Sequence, residues 1–152
     1  MVNAEFLYRA LKAKSWGGVI TEYANSVEAE VKVKLLPKLD SVLRKNSTSL
    51  ESILSSKVQR GGSNLGYAEA ILTRIAENPF LKSVVLSGLS EDTCSFLLSE
   101  LPGHLAKVRK IRTPSAHGDA MTAKEAREIR KLVLGTPEKP GLLKHMTELK
   151  LP

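Results

Sequence analysis

Ile20-Thr21-Glu22-Tyr23-Ala24-Asn25-Ser26-Val27-Glu28-Ala29-Glu30-Val31-Lys32-Val33-Lys34-Leu35 decides the fold class of this chain. Ile20, Tyr23, Ala24, Val27, Val31 and Leu35 recur at steps of three and four. That spacing is one face of an α-helix turning about 100° per residue. A half-buried strand needs strict alternation, which does not hold across the whole stretch as the three- and four-residue spacing does. Glu28 and Glu30 flank the apolar stripe, each about 80° from its centre by the same geometry. Either carboxylate can therefore reach a helix packed on that face.

Helical signals continue on both sides. Ala4 to Ala13 predicts a short first helix, punctuated by Gly17-Gly18. Pro37 predicts a kink or an end to the long helix, with Leu39 to Leu43 continuing the apolar pattern. Thr48-Ser49-Leu50-Glu51 reads as a capping box, and Gln59 to Asn64 as a loop built on Gly61-Gly62-Ser63. Tyr67 to Ala76 predicts a helix, and Asn78-Pro79 caps another that runs to Leu86. Ser90 opens a helix whose first turn carries Glu91 and Asp92, the sign preferred at the positive end of the helix dipole. Pro102-Gly103 leads into the next helix. Thr122-Ala123-Lys124-Glu125 is a second capping box, Gly135 ends the helix it starts, and Pro140 begins a final short one. No strand assignment of period two survives against the helical spacing, and no internal repeat of solenoid length is seen. The expectation is an all-α helical bundle, a single domain over residues 1–152.

Composition narrows the class. A chain of 152 residues can bury a real core, and 42% hydrophobic with 26% charged residues is ordinary for a globular protein, not a disordered one. The net charge of +7 favours an anionic partner, of which nucleic acid is the commonest. A single cysteine, Cys94, cannot close an intrachain disulfide; its apolar run through Leu98 suits a core residue in a reducing, cytoplasmic setting. Met1 to Lys14 lacks a signal-peptide core and no run reaches membrane-span length, so no membrane partner is expected. His104 and His145 have no partners at ligand spacing, so neither a metal nor another cofactor is expected. Gly61-Gly62 lacks the strand and the lysine of a phosphate-binding loop. Tyr8, Trp16, Tyr23 and Tyr67 are expected in the core or at an interface.

The chemistry-bearing stretch is Arg112-Thr113-Pro114-Ser115-Ala116-His117-Gly118. Counting from Leu105, Val108 and Ile111 share a face, and Arg112 returns almost directly over Leu105. An arginine aimed along an apolar face is costly unless an anion meets it, and either Glu28 or Glu30 could supply that carboxylate. Thr113 precedes a proline, which predicts a helix ending at Arg112, with Thr113 as N-cap and Pro114 opening a new turn. His117, one turn in, then lies near a positive helix end that keeps its ring neutral, as a general base requires. Lys124, Arg127 and Lys131 recur at helical spacing, and with Lys107, Arg109 and Lys110 they are candidates for an RNA phosphate groove. The competing expectation for the second helix is a solvated face with pairs such as Lys124–Glu128.

Arg112 to Gly118, followed by Thr122-Ala123-Lys124-Glu125-Ala126, resembles the C-terminal signature of the HEPN family (higher eukaryotes and prokaryotes nucleotide-binding). Over the remainder of the chain, helix content and order agree with that family. Thr113 stands where the family usually carries Asn or Asp. The resemblance implies a HEPN-type bundle with Arg112 and His117 as catalytic residues, supported by Thr113 and by Glu28 on an early helix. It also implies a metal-independent endoribonuclease working as a homodimer through the motif face, in a toxin–antitoxin or phage-defence setting. HEPN-like domains occur too as C-terminal modules of larger proteins, defence ATPases among them. The second expectation is accordingly a non-catalytic interaction or oligomerisation module, with an antitoxin or a fused or associated ATPase as partner.

Overall fold

Two long helical rods, each passing through a proline, carry the architecture. The computed structural model describes residues 5, 8, 16–54, 64–116, 121–149 and 151. The first rod is α1 (Gly17–Glu30), a π-helical turn (Val31–Leu35) and α2 (Leu36–Arg44). After it come α3 (Leu50–Ile53), α4 (Asn64–Glu77) and α5 (Pro79–Leu86). The second rod is α6 (Glu91–Ser95), a π-helical turn (Phe96–Glu100) and α7 (Leu101–Ala116). α8 (Ala123–Leu134) and α9 (Leu142–Glu148) complete the order. The fold is all-α, and the described residues form no strand beyond one isolated bridge between Gly135 and Pro140. None of the described helices is long and apolar enough to cross a membrane.

Pro37 was expected to kink or end its helix and Pro102-Gly103 to lead into a new one, yet helical structure continues through both prolines. A proline inside an α-helix removes one hydrogen bond and drives its ring into the carbonyl four residues back. Here each proline lies two residues beyond a π-turn, whose extra residue shifts the preceding carbonyls out of α-helical register. The amide of Leu36 donates to the Val31 carbonyl, and that of Leu101 to the Phe96 carbonyl. Each rod thus stays continuous.

α7 lies between α1 and α4, and α8 packs on α1 and α7. Tyr23, Val27, Ile71, Leu72, Leu105, Val108 and Ile129 are buried in this centre. The expected apolar stripe of the first rod is buried from Ile20 to Leu35. Tyr23 is wholly buried; Tyr8, Trp16 and Tyr67 pack partly buried against the core. The Tyr23 hydroxyl donates to Glu5, which also accepts from Arg130 Nε at 2.7 Å. Burial first, and the Glu5 carboxylate second, raise the Tyr23 pKa above the ordinary phenol range.

Local corrections follow from hydrogen bonding. The first capping box is displaced by one residue: Ser49 is the N-cap and exchanges bonds with Ser52, while Asp40 accepts from the Leu50 amide at 3.1 Å. Of the expected Gln59–Asn64 loop, only Asn64 is described, and it is helical. The second box is present as read, Thr122 with Glu125. Gly135 caps α8 with φ of 88°, and the last helix begins at Leu142, two residues after Pro140. Cys94 is half-buried, short of the full burial expected. Most of the expected Ala4–Ala13 helix lies outside the described residues.

Candidate functional site

α7 presents two faces that carry candidate site residues. On the inner face, Arg112 stands two turns beyond the buried Leu105, as the spacing required, and meets α1. Arg112 Nη1 donates to Glu28 Oε2. The other oxygen, Oε1, accepts from the Asn64 amide at 3.0 Å and from Asn64 Nδ2 at 3.2 Å. Glu28 therefore joins three helices: its own, the first residue of α4 and the last turns of α7. The side chains of Arg112 and Glu28 are 26% and 18% exposed, so the pair is shielded without being sealed.

The helix does not end at Arg112. α7 runs to Ala116, and Thr113, expected as an N-cap, is an internal helix residue whose Oγ1 donates to the Arg109 carbonyl at 2.9 Å. A threonine hydroxyl can fold back onto the carbonyl four residues earlier, so the helix absorbs it without a cap. His117 lies outside the described residues.

The outer face of α7 forms one wall of a cleft of about 860 Å³, opposed by α8, the 135–140 turn and α9. Lys107 and Lys110 come from α7, Lys131 from α8 and Lys139 from the turn. Ile111, Leu132 and Leu142 supply apolar surface between them. His104 and His145, set aside in the sequence for want of ligand-spaced partners, both line this cleft. Burial pushes the His104 pKa below the ordinary imidazole value, and Lys107 pushes it the same way, against the opposing charge of Glu100. The His145 ring stacks on Phe96 with centroids 4.9 Å apart.

The six candidate RNA-binding residues divide. Lys107, Lys110 and Lys131 share the cleft. Arg109 points to the opposite side, where its guanidinium binds Glu69 of α4 at 3.1 Å. Lys124 and Arg127 are exposed on α8 and do not line the cleft. Lys124 and Glu128 form no ion pair, and Glu125 is committed to Thr122. One signal for the missed residues was present: Glu100, His104, Lys107 and Ile111 fall on one helical stripe. Treating Pro102-Gly103 as a break divided that stripe. Among the described residues no three His, Cys, Asp or Glu side chains gather as a metal site requires.

Chemically, the arrangement offers an oriented guanidinium on one face of α7 and, on the other, a mixed apolar and cationic cleft suited to anions. Compared with protein-family models, with curated proteins and with solved structures, the chain matches none.

Proposed function

We propose that this chain is a HEPN-type domain acting on RNA as a metal-independent endoribonuclease, assembled as a homodimer through the face bearing Arg112 and His117. The observation that carries the reading is the Glu28–Arg112 pair: the guanidinium is oriented from behind by a carboxylate, five positions before the motif histidine. In the proposed reaction an RNA 2′-hydroxyl attacks the adjacent phosphorus. His117 takes the hydroxyl proton, Arg112 meets the charge developing on the phosphoryl oxygens, and the bond to the 5′-oxygen breaks. The leaving oxygen needs a proton at the same time, and one imidazole cannot both accept and donate it. A two-fold dimer supplies a second His117 for that step. Lys107, Lys110 and Lys131 would hold neighbouring phosphates, and Lys124 and Arg127 would add to the attractive field. A toxin or phage-defence role follows from the same resemblance.

The deciding experiment incubates RNA with the wild-type protein and with His117→Ala, in EDTA. Products ending in 2′,3′-cyclic phosphate, lost in His117→Ala, are expected. Cleavage that survives the substitution, or that stops in EDTA, rejects the reading.

One observation favours the second reading, a non-catalytic association module within a larger defence or ATPase protein. Thr113, which stands where the family usually carries Asn or Asp, spends its hydroxyl on the helix backbone. If that reading holds, Arg112→Ala weakens self-association or folding, and no RNA is cut.

A further inference from the structure

The cleft between α7, α8 and α9 is more than a lysine patch. A track for phosphates alone needs charge along an open surface, whereas this cleft joins charge to an apolar floor. Its volume, about 860 Å³, falls within the roughly 300–1,000 Å³ common for small-molecule sites. Leu142 is buried, while Ile111 and Leu132 are only half-buried and keep apolar surface open toward the cleft.

The lysines around that floor are left open to an external anion. Lys107, Lys110, Lys131 and Lys139 make no ion pair with any described residue, although Glu100, Glu125 and Glu128 line the same cleft. Elsewhere Arg44, Arg74, Arg109, Arg112 and Arg130 are each bound to a carboxylate. Four ammonium groups from three different elements thus keep their capacity for an external anion. His104, held toward its neutral form, adds a donor or acceptor without adding positive charge.

We propose that this cleft binds a small amphiphilic organic anion, a carboxylate, sulfonate or phosphate borne on an apolar ring or branched chain. The apolar body occupies the floor at Ile111, Leu132 and Leu142. The anionic group meets lysines at the rim. The proposal does not rest on the ribonuclease reading, and it uses neither Arg112 nor His117. Because three of the lysines are also RNA candidates, such a ligand would compete with RNA wherever both bind.

The test uses the whole chain and two fluorescent probes, anilinonaphthalene sulfonate and the uncharged phenylnaphthylamine, with inorganic sulfate as a competitor carrying charge alone. Saturable binding of one sulfonate per chain is expected, with NMR shifts concentrated at His104, Ile111 and Leu132. The double variant Lys110→Gln/Lys131→Gln, altered only at exposed positions, should weaken the sulfonate about tenfold or more and leave the neutral probe almost unchanged. Sulfate at matched concentration should not displace the dye. Leu132→Asn should weaken both probes; if it fails to fold, the wild-type shift map still decides. Overturning results are binding without saturation, dye affinity indifferent to the lysines, equal displacement by sulfate, or shifts on another face. If a single-stranded oligoribonucleotide moves those resonances and the aryl sulfonate does not, the cleft is an RNA groove and the proposal falls.

Discussion

Glu28 binds Arg112 through one carboxylate oxygen and the start of α4 through the other, so a single side chain ties α1 to both α4 and α7. The two partners are consequently unequal in a mutational test. Arg112→Ala leaves Glu28 its two bonds to Asn64, whereas Glu28→Ala strips Arg112 of that carboxylate and leaves Asn64 without its acceptor. Exposed ion pairs contribute about 1 kcal/mol or less, and losing one partner of a buried pair costs about 3–5. For this partly shielded pair Arg112→Ala should cost about 2 kcal/mol, and Glu28→Ala about 1 kcal/mol more through the lost amide bonds. Urea melts of both single variants and the double variant measure this, and a coupling near zero would contradict the geometry.

The placement of the candidate cations predicts an asymmetry in RNA affinity. Lys107, Lys110 and Lys131 share one cleft, while Arg109 sits on the other side of α7, held by Glu69. Neutralising any of the three lysines should weaken RNA binding and reduce the slope of log affinity against log salt by about 1. Arg109→Gln should change neither by a comparable amount. Binding isotherms over a salt series check this; an Arg109→Gln effect equal to that of Lys110→Gln would place the RNA track elsewhere.

Periodicity exposed the part of this organisation that depends on a single helix face. Ile20 to Leu35 read correctly as a buried stripe, and the return of Arg112 over Leu105 aimed it along the inner face, where Glu28 rather than Glu30 meets it. What the spacing could not show was the continuity of the rods through Pro37 and Pro102. A π-turn is a change of one residue in hydrogen-bond register, and no residue type in Val31–Leu35 or Phe96–Glu100 marks it. Mistaking Pro102 for a break hid the stripe from Glu100 to Ile111, and with it the cleft. Thr113 was misplaced for a related reason: its position before Pro114 favours extended backbone, yet α7 continues to Ala116. The cleft also depends on α9 folding back against α8 while packing on α1, the latter a contact between sequence-distant residues that no local pattern encodes.

The turn that closes the cleft is expected to be sensitive at Gly135. Its φ of 88° and ψ of −165° lie in a region open essentially to glycine, and an added Cβ would overlap the Lys139 carbonyl and the Gly141 amide. Gly135→Ala should therefore cost about 2 kcal/mol, near the middle of the range for such strain. Because Lys139 belongs to this turn, the variant should also weaken anion binding in the cleft, whereas Gly103→Ala, with open space around it, should do neither. Thermal melts and probe titrations of the two variants separate these outcomes.

The His104 environment gives the stability of the fold a defined acid dependence. Burial first, and Lys107 next, lower its pKa below the ordinary imidazole value, so the folded protein holds this ring neutral where the unfolded chain begins to protonate it. The unfolded state then binds more protons between the two values, and stability must rise with pH across that interval. The contribution is fully present above about pH 6.5 and is lost as the pH falls toward the folded-state value. Asp40 acts in the same direction lower on the scale. The hydrogen bond from Arg44 lowers its pKa below 3.8, so its stabilisation disappears only as the pH falls further still. Urea midpoints for the wild type and His104→Gln, measured from pH 7.5 to 5, should therefore diverge. The wild type should lose stability across this range, and the variant should lose less. Parallel curves would mean that His104 titrates alike in the folded and unfolded chains.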